Sequence, residues 1–465
     1  MKDNFECENI DSAVSYCYFF GSYCVAYAIK DSAVILHTPS GCQRRILYVW
    51  SMHDNSNNFK LTLTTNIIDK DVIFGTEKKL KKLIEDTLYR YDETVLFLIT
   101  SCSPEIIGMD YNLALPSVEI SRNIRIIPIN SPGFRGDFYD GYSGTLKDLI
   151  VALGNKYSEE KDECKINIMG YFFTRYEDDE YSNICEIKNI IENIGLEVNS
   201  IFLSGEEYSK LENYATAKYN VLFPYAQNCE KYLDEIVKQE NVICELPIGI
   251  EKTIEFITKL GKATGNLQMA QKFIKERLSE VIPKIQTTLH ITNGKKVAII
   301  SDYQTIPGLL SFILELGMEP VVVASYNKTN EKLNEKINKV MLQNSLLLYK
   351  PIVLCNCNRK QFKSCIKNTY IDLCIGSSIE ARDLEELNIP VLEISFPLFE
   401  THYNYNFPTV GFNGVLNLNT KIFNLLNRER VRRNAVERKL DSIKRDRFFP
   451  LDVKINNLFG GIKYE

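Results

Sequence analysis

Cys17, Cys42 and Cys102 are the residues of this chain whose type and setting best suit chemistry. Cys17 lies in SYCYFFGSYC, Cys42 in HTPSGCQRR and Cys102 in LITSCSPEIIGMD. Pro39 and Gly41 before Cys42, and Pro104 and Gly108 after Cys102, predict that loops and not helix faces present these two thiols. Thiolates at chain turns are natural ligands for an iron–sulfur cluster. Separations of 25 and 60 residues are too long for a local zinc knuckle or a ferredoxin loop. Only a fold can bring the three together. A single cysteine in a chain of this kind is more often a small buried hydrophobe. Cys24, close behind Cys17, competes for the first position.

The bulk composition sets the frame for such a fold. The chain has 465 residues, 45% hydrophobic and 25% charged, an ordinary balance for a soluble globular protein. That length predicts roughly two to four domains. A net charge of -5 gives no basic footprint for nucleic acid. No apolar run reaches the ~18–20 residues of a membrane span. The opening MKDNFECENIDS is acidic and polar, unlike a secretion signal. The expectation is a cytoplasmic protein, in which 13 cysteines are free thiols or metal ligands and not disulfides.

Repeated strand–helix units must then position the cysteines. The apolar run TVLFLIT (94–100) follows an amphipathic, Lys-rich helix, EKKLKKLIEDTLYRY. KINIMGYFF (165–173) opens a second unit, followed by a helix at NICEIKNIIENIGL and a strand at EVNSIFL. KKVAIISD (295–302) opens a third, with a helix around PGLLSFILELGM and strands at EPVVVAS, YIDLCIGSS and IPVLEISF. Gly or Asn stands where helices should stop, in ENIGLEV, LELGMEP and LEELNIP. Alternation of this kind predicts doubly wound parallel sheets with helical crossovers, Rossmann-like α/β units. Three domains are expected: 1–160 with the cluster cysteines, 161–292 ending in the long helix NLQMAQKFIKERLSEVIPKIQTTL, and 293–465. The tail FFPLDVKINNLFGGIKYE is expected to reach across a subunit interface. Cys102 falls just after TVLFLIT, and parallel sheets receive ligands beyond the carboxyl ends of their strands.

The motifs around the cysteines resemble those of the nitrogenase component 1 family. HTPSGC, TTNIIDKDVIFGTEKKLKKLI, TSCSPEIIGMD and INSPGFRGDFYDGYSGTL occur in the family's order. ELPIGIEKTIEFI, ILELGMEPVVV, DLCIGSSIEA and ISFPLFETHYNYNFPTVGFNGVLNL extend the resemblance over nearly the whole chain. It implies three α/β domains. It also implies that three cysteines hold an iron–sulfur cluster at the interface of an αβ pair, and by motif these are Cys17, Cys42 and Cys102. The family ligand precedes a Gly-Ser or Gly-Ala element, here Gly21-Ser22, which favours Cys17 over Cys24.

Departures from the family pattern narrow what the resemblance implies. Catalytic α-type subunits carry a cysteine where this chain has Phe223-Pro224-Tyr225; Cys229 and Cys244 lie further along. His402, in ISFPLFETHYNYN, fits the β-type pattern and not the α-type histidine. Without that Cys/His pair, a molybdenum–iron-type cofactor has no anchor here, and no catalytic residue is assigned to this chain. DVIFGTEKKL, by contrast, is closer to α-type and scaffold subunits. Gly133 occupies the position of a serine that can ligate the cluster in β subunits, leaving either a [4Fe-4S] or a P-cluster-like centre. No GxxxxGK[ST] is present, so this chain is not expected to hydrolyse ATP; the resemblance implies a separate iron–sulfur ATPase reductase for that work. The resemblance thus implies an electron-relaying, β-like subunit of an ATP-dependent reductase. Its partner is an α-like chain in a heterotetramer, or itself in a homodimer. The alternative is a non-catalytic scaffold on which a metallocofactor is assembled.

Other residues have simpler expectations. Cys355, Cys357, Cys365 and Cys374 read as buried thiols before a metal site. His53 and His290 read as solvated or capping. Arg44, Arg45 and Arg135 flank the cysteine motifs, where they offset the charge of a thiolate cluster or form surface salt bridges.

Overall fold

The computed structural model describes residues 16–55, 60–91, 94–109, 124–154, 161–172, 174–326, 331–343 and 350–432. The acidic opening segment and the tail from 433 lie outside the described residues.

Short runs of β-branched and apolar residues form three sheets. The first contains β1 (Ser32–His37), β2 (Thr62–Thr64), β3 (Val95–Thr100) and β4 (Arg125–Asn130), in the order β2-β1-β3-β4. The second contains β5 (Asp162–Met169), β6 (Glu197–Ile201), β7 (Ala217–Leu222) and β8 (Glu240–Ile243), in the order β6-β5-β7-β8. The third contains β9 (Lys296–Ile300), β10 (Glu319–Ser325), β11 (Ile352–Cys355), β12 (Leu373–Gly376) and β13 (Val391–Glu393), in the order β11-β10-β9-β12-β13. Every pairing is parallel. Central strands such as SAVILH and VLFLIT are buried at every position. That is why they read as unbroken apolar runs: helices cover both faces of a parallel sheet. The α/β, doubly wound class expected from the sequence is the class observed. In each sheet the winding reverses once, between β1 and β3, between β5 and β7, and between β9 and β12. A crevice opens at such a switch point, beyond the carboxyl ends of the strands.

The helices follow the amphipathic segments. The first sheet carries α1 (Tyr18–Tyr27), α2 (Ser40–His53), α3 (Asp69–Phe74), α4 (Glu77–Arg90), α5 (Cys102–Ile106) and α6 (Phe138–Leu153). Further along come α7 (Asp178–Asn193), α8 (Ile250–Ala263), the long α9 (Leu267–Gln286), α10 (Ile306–Glu315) and α11 (Ser378–Glu385). Among the described residues no helix is long and apolar enough to cross a membrane. One apolar core runs through all three sheets, from Tyr16 to Leu426.

All ten residues of α1 are buried. It can lie this deep because two glycines let it cross α6 backbone to backbone. A Cβ on Gly21 would stand 1.9 Å from the Phe138 carbonyl oxygen, and one on Gly141 would stand 2.0 Å from that of Tyr18. The expectation that His53 is solvated or capping is wrong. It is fully buried, and its Nδ1 lies 3.0 Å from the Leu398 amide, which donates to it. This bond ties the end of α2 to the segment after β13. His290 is exposed, with its Nδ1 2.9 Å from the Thr287 carbonyl oxygen.

Candidate metal centre

The switch point of the first sheet gathers the sequence-predicted cysteines. β1 and β3 lie side by side, His37 opposite Thr100. Immediately beyond their carboxyl ends come Cys42, in the first turn of α2, and Cys102, the first residue of α5. Both were expected in loops. The difference has a local cause: Pro39 and Pro104 sit where proline is tolerated, at the cap and in the first turn, so they start helices instead of breaking them. The first amides of a helix have no partner within it, and such amides favour nearby negative charge.

The two turns are tied together. The amide of Ser101 donates to the His37 carbonyl at 3.2 Å, and its hydroxyl donates to the same oxygen at 3.3 Å. The His37 ring is buried, 3.0 Å from the Thr65 hydroxyl and 3.1 Å from the Thr76 hydroxyl. Burial lowers its pKa to about 4, so the ring is neutral and acts as a positioning group.

Cys17 arrives from another direction. It precedes the first turn of α1 and forms an isolated antiparallel bridge with Asp137, in the loop after β4. The Tyr18 amide donates to the Gly136 carbonyl at 3.0 Å. Ser22 locks α1 to this loop by accepting from the Ser131 and Thr145 hydroxyls, both at 2.7 Å. The Gly21-Ser22 element behind Cys17 therefore has two structural jobs, close helix crossing and a buried hydroxyl junction.

The loop after β4 brings Cys17 and Cys102 to one point. A Cβ on Gly133 would lie 3.1 Å from Cys17 Sγ and 3.2 Å from Cys102 Sγ. The Gly133 amide already donates to Cys102 Sγ at 3.0 Å. Cys17 and Cys42 are solvent-exposed and Cys102 is half-buried. Protein nonetheless crowds the Cys17 sulfur, and burial raises its pKa. The amides of Phe20 and Phe19 oppose that rise, and charge repulsion from Cys102 and Cys42 adds to it. The three thiols thus share one neighbourhood. Among the described residues no three His, Cys, Asp or Glu side chains gather closely enough to hold a single metal ion.

Cys24 is elsewhere. It is buried in α1 among Tyr23, Val25 and other core residues, and burial pushes its thiol well above the ordinary range. Cys229 and Cys244 are likewise buried, each thiol pushed up to about 12 by desolvation. Cys357 and Cys374 are buried in a core under the third sheet, with Cys365 packed against it, in line with the buried-thiol expectation. Cys355 is half-buried at the end of β11. His402 Nδ1 stands 2.7 Å from Glu177, far from the thiols along the chain. The Tyr225 hydroxyl donates to Asp302 at 2.8 Å. Arg135 donates to the Asn130 carbonyl at 2.8 Å and lies over the Tyr18 ring; Arg45 lies over the Tyr16 ring. Arg44 is exposed in α2. The role of the Gly133 amide was not foreseen. The only trace of it in the sequence is the glycine itself, in SPGF.

The family profile described as nitrogenase component 1 type oxidoreductase matches residues 17–427, beginning at Cys17 itself. The chain belongs to that family. It resembles the β-type members. A nitrogenase molybdenum-iron protein beta chain of Frankia alni is 24% identical over 445 residues, covering 88% of this chain and 81% of its own length. The iron-molybdenum cofactor biosynthesis protein NifE of Clostridium pasteurianum is 26% identical over 389 residues, covering 80% of this chain and 81% of its own. The solved structure named nitrogenase Cp1 at pH 6.5 superposes with a TM-score of 0.78 at 22% identity, covering 90% of this chain and 93% of its own, and so shares the fold.

Proposed function

We propose that this chain is a subunit that holds an iron–sulfur cluster through Cys17, Cys42 and Cys102 and relays electrons in an ATP-dependent, nitrogenase-like reductase. The convergence of Cys17 and Cys102 on Gly133 carries the reading. The residues suit such a group: thiols at helix starts, an amide hydrogen-bonded to one sulfur, and no side chain at position 133 to fill the space. A [4Fe-4S] or P-cluster-like centre bound there supplies one-electron redox chemistry. The protein's own part is to hold the sulfurs, offer backbone amides to their negative charge, and leave one side open to a second subunit. Exposed Ile106 and Phe134, close in sequence to Cys102 and Gly133, are apolar residues a second subunit would cover. The partner is an α-like chain in a heterotetramer or a second copy of this chain, and electrons enter from a separate iron–sulfur ATPase. We read the three sheets as the cores of domains 1–160, 161–292 and 293–465, and the protein as cytoplasmic, where its thiols stay reduced.

The experiment is anaerobic purification followed by iron analysis and EPR. Iron and a cluster signal are expected. Cys42→Ala or Cys102→Ala should abolish both, and unchanged iron in a folded Cys102→Ala protein sinks the ligand assignment.

One observation favours a second reading, an assembly scaffold: the similarity to a protein named for cofactor biosynthesis. Reduction of a substrate with a cognate reductase supports the enzyme. Transfer of a bound cluster precursor to another apo-protein, without turnover, supports the scaffold.

A further inference from the structure

Beyond the carboxyl end of every strand in the third sheet stands a residue that lines one cavity. Ser301 and Asp302 follow β9, Tyr326 follows β10, Asn356 follows β11, Ser377 follows β12 and Ser395 follows β13. The cavity measures about 280 Å³ and straddles the switch point between β9 and β12. Its facing wall is aromatic, built from Tyr16, Phe138, Tyr139 and Phe396. Phe138 and Phe396 stack with centroids 4.9 Å apart.

The charge of the lining is one-sided. Asp137, Asp302 and Glu380 contribute carboxyl groups, and among the described residues no Lys, Arg or His lines the cavity, although Arg359 stands within electrostatic reach of Glu380 and Arg45 lies over the Tyr16 ring. Glu380 is 1% exposed and Asp302 7%. Glu380 accepts from the Tyr326 hydroxyl at 2.6 Å and from the Ser377 amide and hydroxyl at 2.8 and 2.6 Å. Asp302 accepts from the Tyr225 hydroxyl at 2.8 Å and from the Gln304 and Thr305 amides at 2.9 and 3.1 Å. These bonds fix both carboxyls in place before any ligand arrives. Burial raises the pKa of both. An entering cation offsets the cost of ionising them, whereas an anion adds to it. Aromatic rings in the lining favour a cation further.

We infer that this cavity is a binding site for a small planar organic cation, an amidinium or protonated aromatic amine, held between the aromatic wall and the carboxyls of Glu380 and Asp302. The volume lies just below the ~300 Å³ at which sites for drug-sized ligands begin, so the ligand is small. The inference goes beyond the cluster-holding role and does not depend on it, because no thiol takes part in the recognition. Cys17 and Gly133 also line the cavity, next to Tyr16 and Phe138 of the aromatic wall, so its occupant lies beside the candidate metal centre.

The test is calorimetric titration of the full chain with benzamidine, with its anionic isostere benzoate and with neutral benzyl alcohol. Benzamidine should bind, and benzoate should bind at least roughly tenfold more weakly. Glu380→Gln and Asp302→Asn should each weaken benzamidine by a similar factor, with the far-UV spectrum unchanged. The ligand series on the unaltered protein decides the matter even if a variant fails to fold. Benzoate binding as tightly as benzamidine, or no heat from benzamidine at millimolar concentration, overturns the inference. So does undiminished benzamidine binding by a folded Glu380→Gln protein. A folded Glu380→Gln protein should keep wild-type iron content, which separates this site from the cluster reading.

Discussion

The first and third sheets use the same winding for opposite chemistry. At the first switch point, the ends of β1 and β3 lead to Cys42 and Cys102, on helix starts, the first exposed and the second half-buried. At the third, the ends of β9 and β12 lead to Asp302 and to Ser377 and Glu380, buried acids behind an aromatic wall. The fold decides where a ligand can sit; the few residues after each strand decide which ligand. The cysteines repeat the lesson. Cys24 and Cys374 are buried and their thiols are pushed far up, as core residues. Cys17, 7 residues before Cys24, meets Cys102 at a glycine.

The strongest way to break the comparison is to remove what builds the first site without touching a thiol. Gly21→Ala puts a methyl 1.9 Å from the Phe138 carbonyl oxygen, so α1 and α6 must separate. Overpacking of this kind typically costs about 1–3 kcal/mol, and a backbone clash belongs at the upper end. Urea unfolding should report that loss, and iron content should fall with it because Cys17 moves. A loss under about 0.5 kcal/mol would contradict the helix crossing.

Next in size is the contrast within α1. Cys17→Ala should lose iron with little loss of stability. Cys24→Ala should keep its iron and lose about 1–2 kcal/mol through the cavity it leaves. Reversal of that pattern reassigns the ligand. A smaller effect is expected at Gly133. Gly133→Ala sets a methyl 3.1–3.2 Å from two sulfurs, tighter than ordinary contact. Iron loading should drop while the urea midpoint stays close to wild type. Asp302→Asn, at the other switch point, should leave iron loading unaffected; loss of iron there would couple the two sites and end the contrast.

Some of this was legible in the sequence and some was not, for physical reasons. The central strands announce themselves because burial on both faces demands unbroken apolar runs, as in VLFLIT. The thiols were legible through their motifs. The helical setting of Cys42 and Cys102 was missed because proline breaks a helix interior but is welcome at its start, and Gly108 stands just past a helix end. His53 was misread because its partner, Leu398, is 345 residues away. The acid-lined cavity was not foreseen: Ser377 and Glu380 lie in DLCIGSSIEA and Ser395 in ISFPLFETHYNYN, but only the sheet order brings them together with Asp302.

The smallest expected effect sharpens the comparison through pH. Glu315, at the end of α10, accepts from the amides of Ile250 and Glu251 at 2.7 and 2.8 Å. Burial raises its pKa from 4.5 to about 7, with the Glu251 charge adding to the rise and the two amides opposing it. The folded state therefore holds this proton more tightly than the unfolded chain. Stability from this group is fully present below pH 4.5 and is lost as pH rises through about 7. Glu380 and Asp302 are shifted in the same direction, so acids on this side of the molecule favour the lower pH. Glu315→Gln keeps an acceptor for one of the two amides, loses the other and removes the titration, so the pH dependence and not the absolute stability is compared. Urea midpoints of variant and wild type, compared at pH 5 and pH 8, should move in the variant's favour at the higher pH. Parallel behaviour at both pH values would show that Glu315 ionises without cost, and the acid side would then differ from the thiol side in composition but not in electrostatics.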